Sequence, residues 1–180
     1  MTTQYYTATS LDGFLADSDN SLSWLFEVDD DGQTESVTEA FGAQVGAMCM
    51  GATTYEWVLA NDEPGSWAKW YGDTPCWVFT HRDLPRIPGA NLRFVSGDVA
   101  PVHREMSEAA GTQNIWILGG GELVGQFYDA GLLDEITATV APVTLGSGSP
   151  LLPRRIPAAR LHLHDVSRFG QFVMLTYQVK

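Results

Sequence analysis

Basic residues are scarce in this chain: ten Lys and Arg stand against 22 Asp and Glu, for a formal net charge of −12. Such a field repels polyanions, which argues against nucleic acid and anionic membrane as partners. Any anion bound here has to be captured by a local arrangement of donors. Cysteine is nearly absent. Cys49 and Cys76 each lie inside an apolar, strand-like run, which predicts buried reduced thiols and no disulfide. No apolar run approaches the roughly 20 residues of a membrane-spanning helix. The amino terminus lacks the basic-then-apolar order of a secretion signal, so a cytoplasmic location is expected. No Pro- or Ser-rich stretch divides the 180 residues, 44% of them apolar, and one core in one domain spanning 1–180 is expected.

Several catalytic and metal signatures are also missing. The serines of Gly146-Ser147-Gly148-Ser149-Pro150 are misplaced for the Gly-x-Ser-x-Gly elbow of a serine hydrolase. His162-x-His164 puts two imidazoles two residues apart on a strand, but the sequence supplies no third ligand beside them. In Asp29-Asp30-Asp31-Gly32 the glycine and the closing Glu fall in the wrong places for a calcium loop, so a solvated turn before a helix is expected. The dinucleotide fingerprint of the ordinary Rossmann fold is absent from the first strand.

What the chain does have is the stretch Ile115-Trp116-Ile117-Leu118-Gly119-Gly120-Gly121-Glu122-Leu123-Val124. An apolar strand runs into three glycines and a helical pattern starts at once. Glycines allow a sharp turn and close backbone approach, while the unpaired N–H groups and dipole of a new helix favour an anion.

Strand-like and helix-like segments alternate elsewhere. Strands are expected at 4–9, 47–50, 76–80, 91–95, 135–140, 160–166 and 172–179, and helices at 34–45, from 51 onward, and at 101–110. This alternation predicts an α/β fold with a mostly parallel sheet covered by helices and an antiparallel pair at the C-terminal end. Ligands of such sheets bind beyond the carboxyl ends of the strands. Three turns there carry anion chemistry: Gly51 to Thr54, Thr80-His81-Arg82, and Gly119 to Glu122. The first offers backbone donors and a hydroxyl, the second a hydroxyl and a guanidinium able to fork onto phosphate. Thr54 alone could be a helix cap and Arg82 alone a solvated charge. Their coincidence at strand ends points to a phosphorylated dinucleotide.

The order of motifs along the chain adds to this. Ser10-Leu11-Asp12-Gly13, Ser21-Leu22-Ser23-Trp24, Met50-Gly51-Ala52-Thr53-Thr54-Tyr55-Glu56, Val78-Phe79-Thr80-His81-Arg82, Trp116 to Gly121, and Ala141-Pro142-Val143-Thr144-Leu145-Gly146-Ser147-Gly148 follow one another over nearly the whole length. In this order they resemble the dihydrofolate reductase-like superfamily, and within it the branch containing the C-terminal reductase domain of the riboflavin-pathway bifunctional deaminase/reductase. The resemblance implies a three-layer fold with helices on both sheet faces and an NADPH-dependent oxidoreductase that forms a homodimer. It implies that Gly51 and Thr54 contact phosphate, that Thr80, His81 and Arg82 hold the adenosine end and 2′-phosphate, and that Gly119, Gly120, Gly121, Glu122 and Leu123 hold the pyrophosphate. Ala8 and the loop from Ser10 to Gly13 would border the nicotinamide and substrate, with Ser10, Asp12 and Trp24 on the substrate side. For the proton donor the resemblance points to Glu35 or Glu39 on the helix before the Met48 strand, with Glu35 nearer in register and Asp12 as the rival.

Two departures from the family pattern stand out. Ala52 occupies the place where the family commonly has a basic residue, so the 2′-phosphate rests on Arg82 and His81 and NADH remains an alternative cofactor. Between Tyr55 and Pro75 the chain offers Lys69 as its single cation, where folate reductases use an arginine to hold the folate tail. The expected substrate is therefore a small pterin-like or pyrimidine-like heterocycle or a carbonyl compound. The alternatives are the ribosylated aminopyrimidine precursor of riboflavin, or nucleotide binding without turnover.

Overall fold

The computed structural model describes residues 1–61 and 65–180. Its frame is an eight-stranded sheet. In chain order the strands are β1 (Thr3–Ser10), β3 (Val45–Gly51), β4 (Cys76–Phe79), β5 (Leu92–Val95), β6 (Asn114–Gly119), β7 (Glu135–Ala141), β9 (Leu161–Phe169) and β10 (Phe172–Val179). They lie in the order β5-β4-β3-β6-β1-β7-β10-β9. All pairings from β5 through β7 are parallel, and β10 pairs antiparallel with both β7 and β9. The expected parallel body and antiparallel C-terminal pair are both present. Two short strands, β2 (Phe14–Ala16) and β8 (Ser149–Pro150), form a separate antiparallel pair.

Side chains alternate across the sheet and feed two cores. On one face Tyr5, Ala47, Cys49, Trp77, Ile115 and Ile117 meet α5 (Val99–Ala110) and α6 (Gly121–Asp129). The buried stripe of α5, Val99, Val102, Met106 and Ala110, repeats at helical spacing, so a single face of the helix is apolar. Asp98 starts that helix by accepting a hydrogen bond from Ala100 N at 3.1 Å, and Gly111 ends it. On the other face Met48, Met50, Cys76 and Val78 pack with Tyr55 of α3 (Ala52–Asn61) and Trp67 of α4 (Ser66–Tyr71). Phe41 of α2 (Thr34–Gly42) packs against Tyr6 in a tilted ring pair with centroids 4.3 Å apart. Helices thus cover both faces, as the resemblance implied.

Both cysteines are buried and free, and burial pushes their thiols up in pKa. Among the described residues no helix is long and apolar enough to cross a membrane. A bulge opposite Thr176 and Tyr177 pairs Asp165 with Thr176 and Leu163 with Tyr177. His164 is thereby displaced from simple alternation with His162, a correction to the expected two-residue repeat.

β6 lies between β3 and β1 and buries Ile117 completely. Ile117→Ala is expected to lower unfolding stability by about 2–5 kcal/mol, since it removes buried apolar volume that the surrounding sheet cannot refill. Urea unfolding followed by fluorescence checks this, and a loss well under 1 kcal/mol would show that the site relaxes.

Candidate functional site

Because β4, β3 and β6 are adjacent and parallel, their carboxyl ends emerge side by side. The three anion-competent turns therefore fall along one sheet edge. Between the Gly51–Thr54 and Gly119–Glu122 turns, contact is close. A side chain built on Gly119 would begin 3.3 Å from Thr54 Oγ1, and one built on Gly51 would begin 3.7 Å from Gly120 N. Gly119 also has a φ of +148°, and the Gly119–Gly120 peptide is cis. Gly120 caps α6 in extended conformation without a side-chain capping bond, and nothing lies within 4 Å of where its Cβ would stand. Here the backbone is open to a ligand, at the amino end of a helix whose dipole favours negative charge.

In the Thr80–Arg82 turn Thr80 Oγ1 accepts a hydrogen bond from Arg82 N at 2.9 Å, fixing the turn. His81 and Arg82 are exposed. The Arg82 guanidinium forks onto Glu56 of α3, Nη1 to Oε1 at 2.7 Å and Nη2 to Oε2 at 2.9 Å. Sequence reading had no means of finding Glu56, which lies 26 residues away along the chain.

Several expected roles change. Gly121 faces the backbone carbonyls of Pro150 and Leu151, so its missing side chain makes room for that loop. The Glu122 carboxylate pairs with Arg154 Nη2 at 2.7 Å, and that hydrogen bond lowers its pKa. Arg154 also reaches Asp129 at 2.8 Å. The Leu123 side chain is buried in the core. Only the backbone N–H groups of Glu122 and Leu123 remain suited to a phosphate.

Of the three expected proton donors, Asp12 and Glu35 are engaged by other groups and Glu39 is exposed. Asp12 accepts hydrogen bonds from Ser10 Oγ at 2.6 Å, Gly146 N at 2.7 Å and Leu145 N at 3.1 Å. These bonds, the Ser10 one foremost, pull its pKa below the usual carboxylate value and keep it charged. Asp12 is thus a clamp between two loops. Ser10 Oγ is spent in the same turn, since it also accepts from Phe14 N at 2.9 Å. The same loops are tied by Leu11 N to Val143 O and Leu151 N to Gly13 O. Glu35 is exposed and paired with Lys69 at 2.9 Å, and Glu39 is likewise exposed. A cleft of about 270 Å³ between α2 and α4 includes Glu39, Lys69, Trp70 and Trp116. It lies beside Val45 and Met48 at the beginning of β3, whereas the anion turns lie at its end.

Strand register builds a second group of polar residues on one sheet face. Ala8 pairs with Thr139, Thr139 with Met174, and Met174 with Ser167, forming one row on one face. Ser10 pairs with Ala141 and Phe172 with Phe169, and Ala141, Phe169 and Phe172 share one buried cluster with Trp24 of α1 (Ser23–Phe26), with Val37 of α2 packed against it. Trp24 Nε1, Thr139 Oγ1 and Ser167 Oγ are buried without hydrogen-bond partners. Orphaned polar atoms in a cluster of this kind call for a polar ligand or water. Burial raises the pKa of the Tyr6 phenol above its ordinary value. Thr139 lies close enough to oppose that shift slightly, without completing a hydrogen bond. Tyr6 therefore stays protonated and offers an O–H donor. Sequence analysis caught Trp24 and Ala8 but not Tyr6 or Thr139. The alternation Tyr6, Ala8, Ser10 along β1 was the available signal.

The comparisons with known proteins agree with this geometry. Residues 68–175 match the model of the RibD C-terminal domain. The uncharacterized protein YwjB of Bacillus subtilis (strain 168) is 34% identical over 177 residues, covering 97% of this chain and 96% of that protein. A putative riboflavin biosynthesis protein from Shewanella sp. PV-4 has a crystal structure that superposes with a TM-score of 0.80 at 25% identity, covering 100% of this chain and 99% of the other. Dihydrofolate reductase from Enterococcus faecalis, complexed with NADP(H), superposes with a TM-score of 0.63 at 12% identity, covering 99% and 96%. The fold is dihydrofolate reductase-like.

The Asp12 clamp makes a pH-dependent prediction. Its folded pKa is depressed, so its contribution to stability is present above the unfolded carboxyl value of about 3.9 and is lost as pH falls through the folded value. Asp12→Asn should therefore melt below wild type at neutral pH, with the gap closing in strong acid. Melting curves from neutral pH down to strong acid test this, and a pH-independent gap would show that the charge is not what holds the loops.

Proposed function

The chain belongs to the RibD C-terminal domain family, and from that membership we propose that it is an NADPH-dependent reductase of a small heterocyclic or carbonyl substrate, pterin-like or pyrimidine-like. One observation carries the reading: the turns at Gly51–Thr54, Thr80–Arg82 and Gly119–Gly121 close the carboxyl ends of three adjacent parallel strands. A dinucleotide can lie across all three. Gly51, Thr54, Gly120 and the first N–H groups of α6 would bind its pyrophosphate, and Thr80, His81 and Arg82 its adenosine end. The cofactor would supply the hydride, while the protein supplies orientation and electrostatics.

Ala8 sits on β1 between the cofactor turns and the row of unpartnered polar groups. A flat ring held against it could meet the hydroxyl of Thr139, its register partner on β7, and the Tyr6 phenol. Apolar walls with a few buried polar atoms suit a small heterocycle. Because Asp12 and Glu35 are both engaged elsewhere, proton delivery on this reading falls to water ordered by those hydroxyls. Nucleotide binding without turnover is the second reading, and the same engagement of both carboxylates favours it.

Saturable binding of NADPH, followed by nicotinamide fluorescence, is the expected outcome. No saturable change up to millimolar cofactor would overturn the proposal. In an NADPH oxidation assay, a tail-less pterin or a ribosylated aminopyrimidine should turn over faster than dihydrofolate. Lys69 is tied to Glu35 and lies 4.5 Å over the Trp70 ring, and the net charge of −12 opposes an anionic tail. Turnover of dihydrofolate at about ten per second or more, an ordinary enzyme rate, would contradict this.

We also propose a homodimer. Leu163 and Val166 are each 55% exposed on the edge strand β9, and register sets them beside Tyr177 and Leu175 on the face shared with exposed Val173. Uncovered apolar edge strands invite uncontrolled pairing unless a partner covers them. Light scattering should report twice the 19.7 kDa chain mass, and Val166→Lys should shift the protein to monomer. A monomeric wild type would overturn this proposal.

A further inference from the structure

We infer that Glu56 sets how far this chain prefers NADPH over NADH, by holding the Arg82 guanidinium that would otherwise grip the 2′-phosphate. The inference rests on the nicotinamide reading above. Three observations meet here. Ala52 leaves the opening of α3 without a cation. Arg82, in the turn fixed by Thr80, presents both terminal nitrogens to Glu56 at 2.7 and 2.9 Å. That bidentate edge is the same one a guanidinium uses to fork onto a phosphate. A 2′-phosphate arriving at the turn therefore competes with a carboxylate already in place, and it meets that carboxylate's charge.

An unphosphorylated ribose meets no such penalty. Its 2′-hydroxyl can donate to a carboxylate, which has acceptor sites beyond the two that Arg82 fills. The pair is solvent-exposed, with side chains 55% and 40% accessible, so it is weak enough to open. Opening it nevertheless takes away from NADPH what Arg82 would give. Glu56 is thus a positioning residue that acts through Arg82 and brings the two cofactors' affinities together.

The test is direct binding of NADPH and NADH to the full chain, by fluorescence titration and calorimetry, for wild type, Glu56→Gln, Arg82→Ala and the double variant. Wild type is expected to bind the two cofactors within about tenfold of each other. Releasing Arg82 from an exposed ion pair that the phosphate would otherwise have to break corresponds to about a two- to fivefold gain. Glu56→Gln should tighten NADPH by that factor and leave NADH nearly unchanged, and most of the gain should vanish in the Arg82→Ala background. An unchanged NADPH-to-NADH ratio in Glu56→Gln overturns the inference while leaving the nicotinamide reading intact. So does a gain undiminished without Arg82. No saturable binding of either cofactor by any of the four proteins overturns the nicotinamide reading and the inference with it.

Discussion

At the carboxyl end of β6 there is room for a hydrogen atom where most residues carry a side chain, and the geometry of the candidate site follows from that. Thr54 Oγ1 and the Gly119 backbone approach closely enough that the openings of α3 and α6 share one small space. The three glycines of this turn answer three different demands. Gly119 takes a backbone conformation that side chains rarely adopt and abuts Thr54. Gly121 admits the carbonyls of Pro150 and Leu151. Gly120 alone faces open space, so it is the position where a ligand's phosphate could approach the backbone. One motif therefore carries a helix start, a loop contact and a candidate anion site.

A chain of net charge −12 that binds an anion has to ration its cations, and the structure engages several of them with carboxylates. Arg82 is held by Glu56, Lys69 by Glu35, and Arg154 by both Glu122 and Asp129. Backbone N–H groups then become the chief source of positive potential at the strand ends, because helix amino termini provide it whatever the side-chain balance. This explains why the glycine turns, and not a basic patch, mark the site in so acidic a protein.

Much of the fold was legible because its signals are local. The apolar run Ala47 to Met50 and the four-residue spacing of Val37 and Phe41 identify their elements within a few residues. The glycine turns at the strand ends were legible for the same reason. What escaped depends on distant partners. Asp12 is bound by backbone 133 and 134 residues away, which turns a candidate acid into a clamp. Glu122 is captured by Arg154 and Arg82 by Glu56, neither visible in a linear pattern. Thr139 becomes a site residue through its register with Ala8. The helices α1 and α4 have four and six residues, too short for periodicity to distinguish from a turn.

β1 pairs with β6 on one side and β7 on the other, so it divides the sheet into two unlike halves. On the β6 side every pairing is parallel and the strand ends open onto helix starts, the geometry suited to phosphate. On the β7 side the antiparallel strands β10 and β9 turn a flat face toward α1 and α2, and that face carries the unpartnered hydroxyls. Under the proposed function the two reactants would therefore be recognised by separate parts of the chain and meet only at Ala8. Changes to Tyr6 or Thr139 could alter the bound ring without disturbing the glycine turns. On that reading a sheet organised in this way could keep one nucleotide site while accepting different small substrates, and the fold and the glycine turns are easier to read from the sequence than the identity of the ring because their signals are local.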